Sequence, residues 1–175
     1  AGELPMDIPV IVSNHEVLKP VAERFGISFH HFPMTPENKA EQEKAQLALL
    51  KSEQVDTVVL ARYMQILSPR LIEEFPHEIL NIHHSFLPAF VGAKPYHQTY
   101  DRGEKLIGAT THYVTADLDQ GPIIQQDVIR VSHAESVADL VRLGRDLEKS
   151  VLAKALWWHL RHRVLGYRNK TVVFA

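Results

Sequence analysis

The sequence contains no cysteine among its 175 residues, which excludes disulfide bonds and any chemistry that depends on a thiolate. A chain without cysteine fits a reducing compartment, and we expect a cytoplasmic protein. The sequence also has no apolar run near the roughly 20 residues that a membrane-spanning helix needs. Its net charge of -2 gives no electrostatic reason for binding to nucleic acid or to an anionic membrane. We therefore expect neither of these as a partner.

The composition is that of an ordinary globular domain. Hydrophobic residues make up 45% of the chain and charged residues 23%. A chain of this length is most simply one domain with a sizeable core. The eleven histidines are many for this length, so each is weighed as a surface, core or site residue.

Short apolar runs alternate with longer helical patterns in the first half of the chain, which is typical of βαβ units. The predicted strands cover residues 8–14, 28–33, 56–61 and 78–84. The predicted helices cover residues 20–25 and 36–54 and a segment with Ser68 as N-cap and Pro69 at its first position. The sequence therefore predicts an α/β fold, an open, mostly parallel twisted sheet with helices on both faces.

The second half of the chain shows a different pattern. Two predicted strands, 106–114 and 122–131, are separated by a loop rich in turn-forming residues, which favours an antiparallel pair. Residues 136–163 are predicted to form one long helix, because their apolar positions keep one stripe facing the core.

Polar residues stand where the strand in "ILNIHHSFLP" should end. Because alternate side chains of a strand share a face, Asn81 and His83 should point one way and His84 the other. An amide can donate a hydrogen bond to an oxyanion, and a histidine can exchange a proton near neutral pH. Asp119, in a tight Gln-Gly-Pro turn, could orient that histidine or a water molecule. The simpler alternative is that these groups only satisfy one another's hydrogen bonds.

A metal site is the other chemical interpretation of this histidine-rich stretch. The residues that could be imagined as zinc ligands are His83, His84, His97, His112 and Asp119. Their spacing matches neither a His-Glu-x-x-His helix nor a zinc finger, so we expect no metal.

Two stretches, "LARYMQILSPRLI" and "NIHHSFLPAFVGAKPYHQTYDRGEKLIGATTHYVTADLDQGPIIQQ", carry a family resemblance. They resemble the formyltransferase-fold enzymes that use 10-formyltetrahydrofolate, over nearly the whole chain. Gln65 and His84 stand at variable positions where the chain is more similar to the formyltetrahydrofolate deformylases than to the glycinamide ribonucleotide transformylases.

The resemblance implies a catalytic triad of Asn81, His83 and Asp119. It also implies that main chain of two loops binds the folate pterin; the residues are Met64, Gln65, Ile66 and Leu67 in the first loop and Val114, Thr115, Ala116, Asp117 and Leu118 in the second. The implied reaction is hydrolysis of 10-formyltetrahydrofolate to formate and tetrahydrofolate, with formate supplied to purine synthesis and no cofactor required. In it, Asp119 positions water, and Asn81 and protonated His83 stabilise the oxyanion.

Two other functions stay open on the sequence. One is formyl transfer to an amine such as glycinamide ribonucleotide, and the other is a non-catalytic folate-binding regulatory module. The resemblance also implies that residues 1–175 form a catalytic domain that lacks its first strand–loop–helix unit and an upstream regulatory ACT domain. The strands near residues 9–13 and 57–61 should then flank a gap. The apolar "ALWWHLRHRVLGY" segment predicts a homo-oligomer.

Overall fold

The computed structural model describes residues 3–88 and 95–175. Residues 89–94, which belong to the stretch that carries the family resemblance, lie outside the described residues. The chain begins with two parallel strands, β1 (Val10–Ser13) and β2 (Ser28–His31), linked by a 3-10 turn (Glu16–Leu18) and helix α1 (Lys19–Arg24).

The central sheet has four strands in the order β3 (Val58–Leu60), β4 (Ile79–His83), β5 (Leu106–Tyr113) and β6 (Ile123–Arg130). β3 and β4 pair in parallel, whereas β4–β5 and β5–β6 pair antiparallel. The four principal helices are α2 (Lys39–Ser52), α3 (Pro69–Glu74), α4 (Pro95–Arg102) and α5 (Val137–Leu160). The predicted α/β fold is confirmed, as is the antiparallel pairing in its second half.

Helices cover both faces of the central sheet because β4 is apolar on both sides. Leu80 and Ile82 pack against the stripe of α5 that contains Val151. Ile79, on the opposite face, packs with Leu71 of α3 and with α2. A strand sandwiched in this way must alternate faces strictly, and this alternation fixes the direction of the polar side chains farther along β4.

Helix α5 ends at Leu160, so the prediction that it continues to Arg163 was wrong at its carboxyl end. Its start is as expected, with Ser136 and Asp139 forming a capping box. After the helix, the chain forms a hairpin of β7 (Val164–Tyr167) and β8 (Lys170–Val173), and the sequence patterns predicted no strands at these residues. His162 adopts a left-handed φ of 54°, which is incompatible with a continuing helix, and the hairpin strands are rich in β-branched and aromatic residues.

Strands β1 and β3 are not hydrogen-bonded to each other within residues 3–88 and 95–175, as predicted. β1 pairs only with β2 there, although Val10 packs in the same apolar cluster as Val58 and Leu60. The upstream strand that would lie between them stays a prediction. In the described part of the chain, no helix is long and apolar enough to cross a bilayer.

Candidate active site

The end of β4 places Asn81 and His83 on one face of the sheet. Their neighbours Leu80 and Ile82 point into the core beneath α5, so strand alternation turns Asn81 and His83 to the opposite face. His83 is the last residue of the strand and is 8% exposed. The chain beyond it is fastened to β5, because the hydroxyl of Thr110 donates to the carbonyl of Ser85 at 2.8 Å.

His112 lies directly across the sheet from Asn81 in the β4–β5 register. Its Nδ1 is 2.9 Å from the carbonyl oxygen of Tyr113, which can only accept, so Nδ1 carries a proton. In the neutral ring, Nε2 is then an acceptor, and the Asn81 amide nitrogen donates to it at 3.3 Å. His112 therefore fixes which way the Asn81 amide points.

Asp119 lies in the loop between β5 and β6, in the left-handed conformation with φ 55°. The close approach of this loop to β5 requires a glycine, since a Cβ at Gly121 would lie 1.8 Å from the carbonyl oxygen of Tyr113. Asp119 Oδ2 is 3.3 Å from His83 Nδ1, and Oδ1 is 3.6 Å from His112 Nε2. One carboxylate thus faces two imidazoles.

The electrostatics of His83 favour its neutral form. Burial lowers its pKa, and the neighbouring His84 and His112 lower it further, while the Asp119 carboxylate raises it without cancelling the effect of burial. The net shift of the His83 pKa is therefore downward. Because the carboxylate accepts from Nδ1, the other nitrogen, Nε2, carries a lone pair. Nε2 is buried and has no hydrogen-bond partner within residues 3–88 and 95–175.

His84 does not point away from His83, so that expectation was wrong. Strand β4 ends at His83, and alternation no longer applies to the residue that follows. The two rings stack with their centroids 5.2 Å apart, and both line the same cavity. His84 therefore acts on His83 through ring contact and charge.

One cavity, of about 320 Å³, is lined by all the residues of the predicted catalytic triad and of the two predicted folate-binding loops. The residues of the triad are Asn81, His83 and Asp119, and the two loops are residues 64–67 and 114–118. The structure thus brings both loops and the polar residues around one space, while their roles remain predictions.

The first of these loops is held by helix α2. Lys39 Nζ donates to the carbonyl of Ile66, and the buried Glu43 accepts from the amide of Ser68 at 3.3 Å. Ser68 is the N-cap of α3 as predicted, but its side chain makes no capping hydrogen bond. Met64 and Ile66 are 72% and 57% exposed, so their apolar side chains are available to a ligand.

From the sequence alone, His112 was a candidate only as a zinc ligand. Its part in orienting Asn81 depends on the β4–β5 register, which strand propensities do not specify; the available signal was a lone histidine in the strand pattern "GATTHYV". His97 is exposed on α4 and does not line the cavity. Across the described ranges, no group of three or more His, Cys, Asp or Glu is arranged to hold a metal ion.

Comparison with known proteins identifies the family of this chain. A family model described as formyl transferase matches residues 2–156. The chain belongs to the formyl transferase family. Among the solved members of this family, glycinamide ribonucleotide transformylase 1 from Symbiobacterium toebii is 31% identical and superposes with a TM-score of 0.90, covering 99% of this chain and 84% of that one.

Other members of the formyl transferase family are more similar to this chain. A formyltetrahydrofolate deformylase from Synechocystis is 61% identical over 100% of this chain and 61% of its own length. The crystal structure of a formyltetrahydrofolate deformylase from Pseudomonas syringae pv. tomato has a TM-score of 0.95 and 55% identity, covering 99% of this chain and 58% of that one. The chain thus spans about three fifths of the length of these deformylases.

Proposed function

We propose that the protein hydrolyses 10-formyltetrahydrofolate to formate and tetrahydrofolate. The observation that carries the proposal is that His83 lines the cavity and has a buried, unpartnered Nε2, while its Nδ1 faces the Asp119 carboxylate. A neutral imidazole in this tautomer can accept a proton from water. The greater similarity to deformylases than to transformylases supports water as the acceptor of the formyl group.

In the proposed reaction, a water molecule attacks the formyl carbon and gives a proton to His83 Nε2. The amide N–H of Asn81 and the new imidazolium stabilise the tetrahedral oxyanion. The bond between the formyl carbon and N10 then breaks, and His83 returns the proton to N10. Formic acid and tetrahydrofolate leave, and formic acid loses its proton to solvent. We infer that His83 begins neutral and becomes charged during the reaction, rather than starting protonated.

Asp119 acts in this scheme mainly through His83. Both of its carboxylate oxygens already face imidazole nitrogens, at 3.3 and 3.6 Å. Its negative charge stabilises the imidazolium, and its hydrogen bond keeps the proton on Nδ1. The orientation of Asn81 depends in the same way on His112, which accepts a hydrogen bond from the Asn81 amide and so sets the direction of that amide.

The folate itself is proposed to bind between the two loops, with its formyl group above Asn81 and His83. Main-chain groups of residues 64–67 and 114–118 would hold the pterin, although the amide of Val114 already donates to the carbonyl of Ile79 at 2.8 Å. No cofactor is needed in this scheme. Supply of formate for purine synthesis and a cytoplasmic location remain proposals that go with the reaction.

The direct test is incubation of the intact protein with 10-formyltetrahydrofolate and no added amine, followed by measurement of formate. Formate and tetrahydrofolate should form in equal amounts. The similarity to a transformylase favours one other function, formyl transfer to an amine. That function predicts little formate until an amine such as glycinamide ribonucleotide is added. Folate binding without either product would indicate the non-catalytic binding module.

The pH dependence of kcat/KM should report the neutral form of His83. Because the pKa of His83 lies below the ordinary histidine value of about 6.5, activity should be level above that pH and fall as the pH decreases through the lower value. The same pKa shift affects the free energy of unfolding. Its contribution is present above about pH 6.5 and is lost as the pH falls through the folded-state pKa of His83, because the unfolded chain binds this proton more tightly. Steady-state kinetics across the acid range is the measurement. An acidic limb centred above pH 7 would contradict the assignment.

We also propose that the intact protein forms a homo-oligomer. The two tryptophans of the segment that predicted an oligomer are half-buried. Trp157 packs edge-on against Trp158, and the guanidinium of Arg161 lies 4.2 Å from the centre of the Trp157 ring. In the carboxyl-terminal part, exposed apolar side chains lie instead on the β7–β8 hairpin and just after it; they are Leu165, Tyr167, Val172 and Phe174, each 48–58% exposed. Light scattering at micromolar concentration should give a multiple of the chain mass, and a monomer mass would reject the proposal.

A further inference from the structure

The β7–β8 hairpin touches the loop that carries Asp119. In the turn of this hairpin, the amide nitrogen of Asn169 donates to the carbonyl of Gln120 at 2.9 Å. The hydroxyl of Thr171, on β8, donates to the carbonyl of Ile123 at 2.5 Å. These two bonds bracket the segment that follows Asp119, and they come from a part of the chain about 50 residues away in sequence.

Asp119 needs such support because its conformation is unfavourable. In the left-handed region a residue with a Cβ is disfavoured, because the Cβ lies too close to the following carbonyl oxygen, and Asp119 has a φ of 55°. Bonds inside the loop are weak: the amide of Gln120 lies 3.4 Å from the carbonyl of Asp117, and the Thr115 hydroxyl lies 3.2 Å from the same oxygen. Contacts from outside the loop must therefore contribute to holding the carboxylate toward the histidines.

The loop that carries Asp119 is held by hydrogen bonds on two sides. On the side of β5, the amide of Tyr113 donates to the carbonyl of Pro122 at 2.9 Å, and Gly121 lies against the Tyr113 carbonyl. On the other side, the hairpin supplies Asn169 and Thr171, and β8 packs against β6. The β5 side fixes where the loop enters β6. Asn169 holds the carbonyl one residue after Asp119, and it therefore controls the direction of the carboxylate most closely.

We propose that Asn169, assisted by Thr171, is a positioning residue for Asp119, so that the carboxyl-terminal hairpin sets the alignment of the carboxylate with His83 and His112. Only the expected effect on turnover of 10-formyltetrahydrofolate rests on the proposed function; the positioning of Asp119 does not. A misplaced carboxylate weakens its interaction with His83 whatever substrate the cavity accepts. Small displacements matter, because a shift of about 1 Å at a reacting group can reduce the rate on the order of 10²-fold.

The test compares Asn169→Ala in the intact protein with Arg168→Gln, a control in the same turn. Arg168 lies over the ring of Tyr167 and, among the described residues, makes no hydrogen bond to the Asp119 loop. Asn169→Ala should lower kcat for 10-formyltetrahydrofolate roughly 10- to 100-fold with KM changed less than about twofold. It should also lower the pKa of His83, measured by NMR, because the raising effect of Asp119 weakens. Arg168→Gln should change neither quantity.

A purely structural role predicts a different result. Asn169→Ala would then lower Tm while kcat and the His83 pKa stayed at wild-type values, and this outcome would overturn the proposal. If that variant does not fold, Thr171→Val removes one hydroxyl with little change in shape and carries the same test. If the wild-type protein releases no formate, the proposed function fails, but the His83 pKa still decides whether the hairpin positions Asp119.

Discussion

Replacing Asp119 with asparagine is expected to lower kcat for 10-formyltetrahydrofolate by at least about 10²-fold while folate affinity changes little. The substitution keeps the shape of the side chain and removes its charge. The introduced amide oxygen can still accept from His83 Nδ1. The fold and the His83 tautomer should therefore persist, and the loss should come from an imidazolium that no longer has a counter-charge.

Three measurements separate this result from a stability effect. Steady-state turnover should fall while folate binding stays close to that of the wild type. The pKa of His83 should also fall further, because Asp119 is the group that raises it. Asp127→Asn is the control, because Asp127 lies on the neighbouring strand β6, pairs with Lys154 and does not line the cavity. It should retain turnover within about twofold of wild type. An Asp119→Asn variant that turns over within threefold of wild type would remove Asp119 from the mechanism.

His83→Gln should have an even larger effect, a decrease in kcat of about 10³-fold, within the usual range for a general acid–base group. Glutamine fills much of the same space and can still bond to Asp119, but it cannot take a proton from water and return it to N10. Folate binding should remain close to wild type, because the two loops rather than His83 are expected to hold the pterin. Single-turnover kinetics with a binding measurement on the same variant would show the separation.

His84→Gln is the matched control for this substitution. Because the two rings are in contact, this variant also tests how His84 affects the pKa of His83. The two rings stack, and the charge of His84 lowers the pKa of His83. His84→Gln should therefore raise the pKa of His83 and move the acidic limb of the pH profile upward, with kcat at high pH within about threefold of wild type. Equal losses of kcat at high pH in the two variants would mean that proton transfer is not specific to His83.

Local patterns were enough to predict much of this protein. The alternation of apolar runs with helical stripes specified an α/β fold, and the antiparallel pair around residues 115–121 followed from its turn-forming residues. Strand alternation placed Asn81 and His83 on one face, because β4 is buried between helices and cannot slip without exposing Leu80 and Ile82. Motif resemblance indicated Asp119 and the two loops, which the structure places around one cavity.

Other features depended on contacts between distant parts of the chain, and only the tertiary structure decided them. The β4–β5 register sets His112 against Asn81, and the end of β4 at His83 lets His84 stack beside it. The sign of the His83 pKa shift is a sum of burial and opposing charges, which sequence cannot evaluate. The hairpin after α5 reaches the Asp119 loop through side chains about 50 residues away. Short-range periodicity determines the elements and their faces, whereas register, burial and long-range hydrogen bonds arise only when those elements pack.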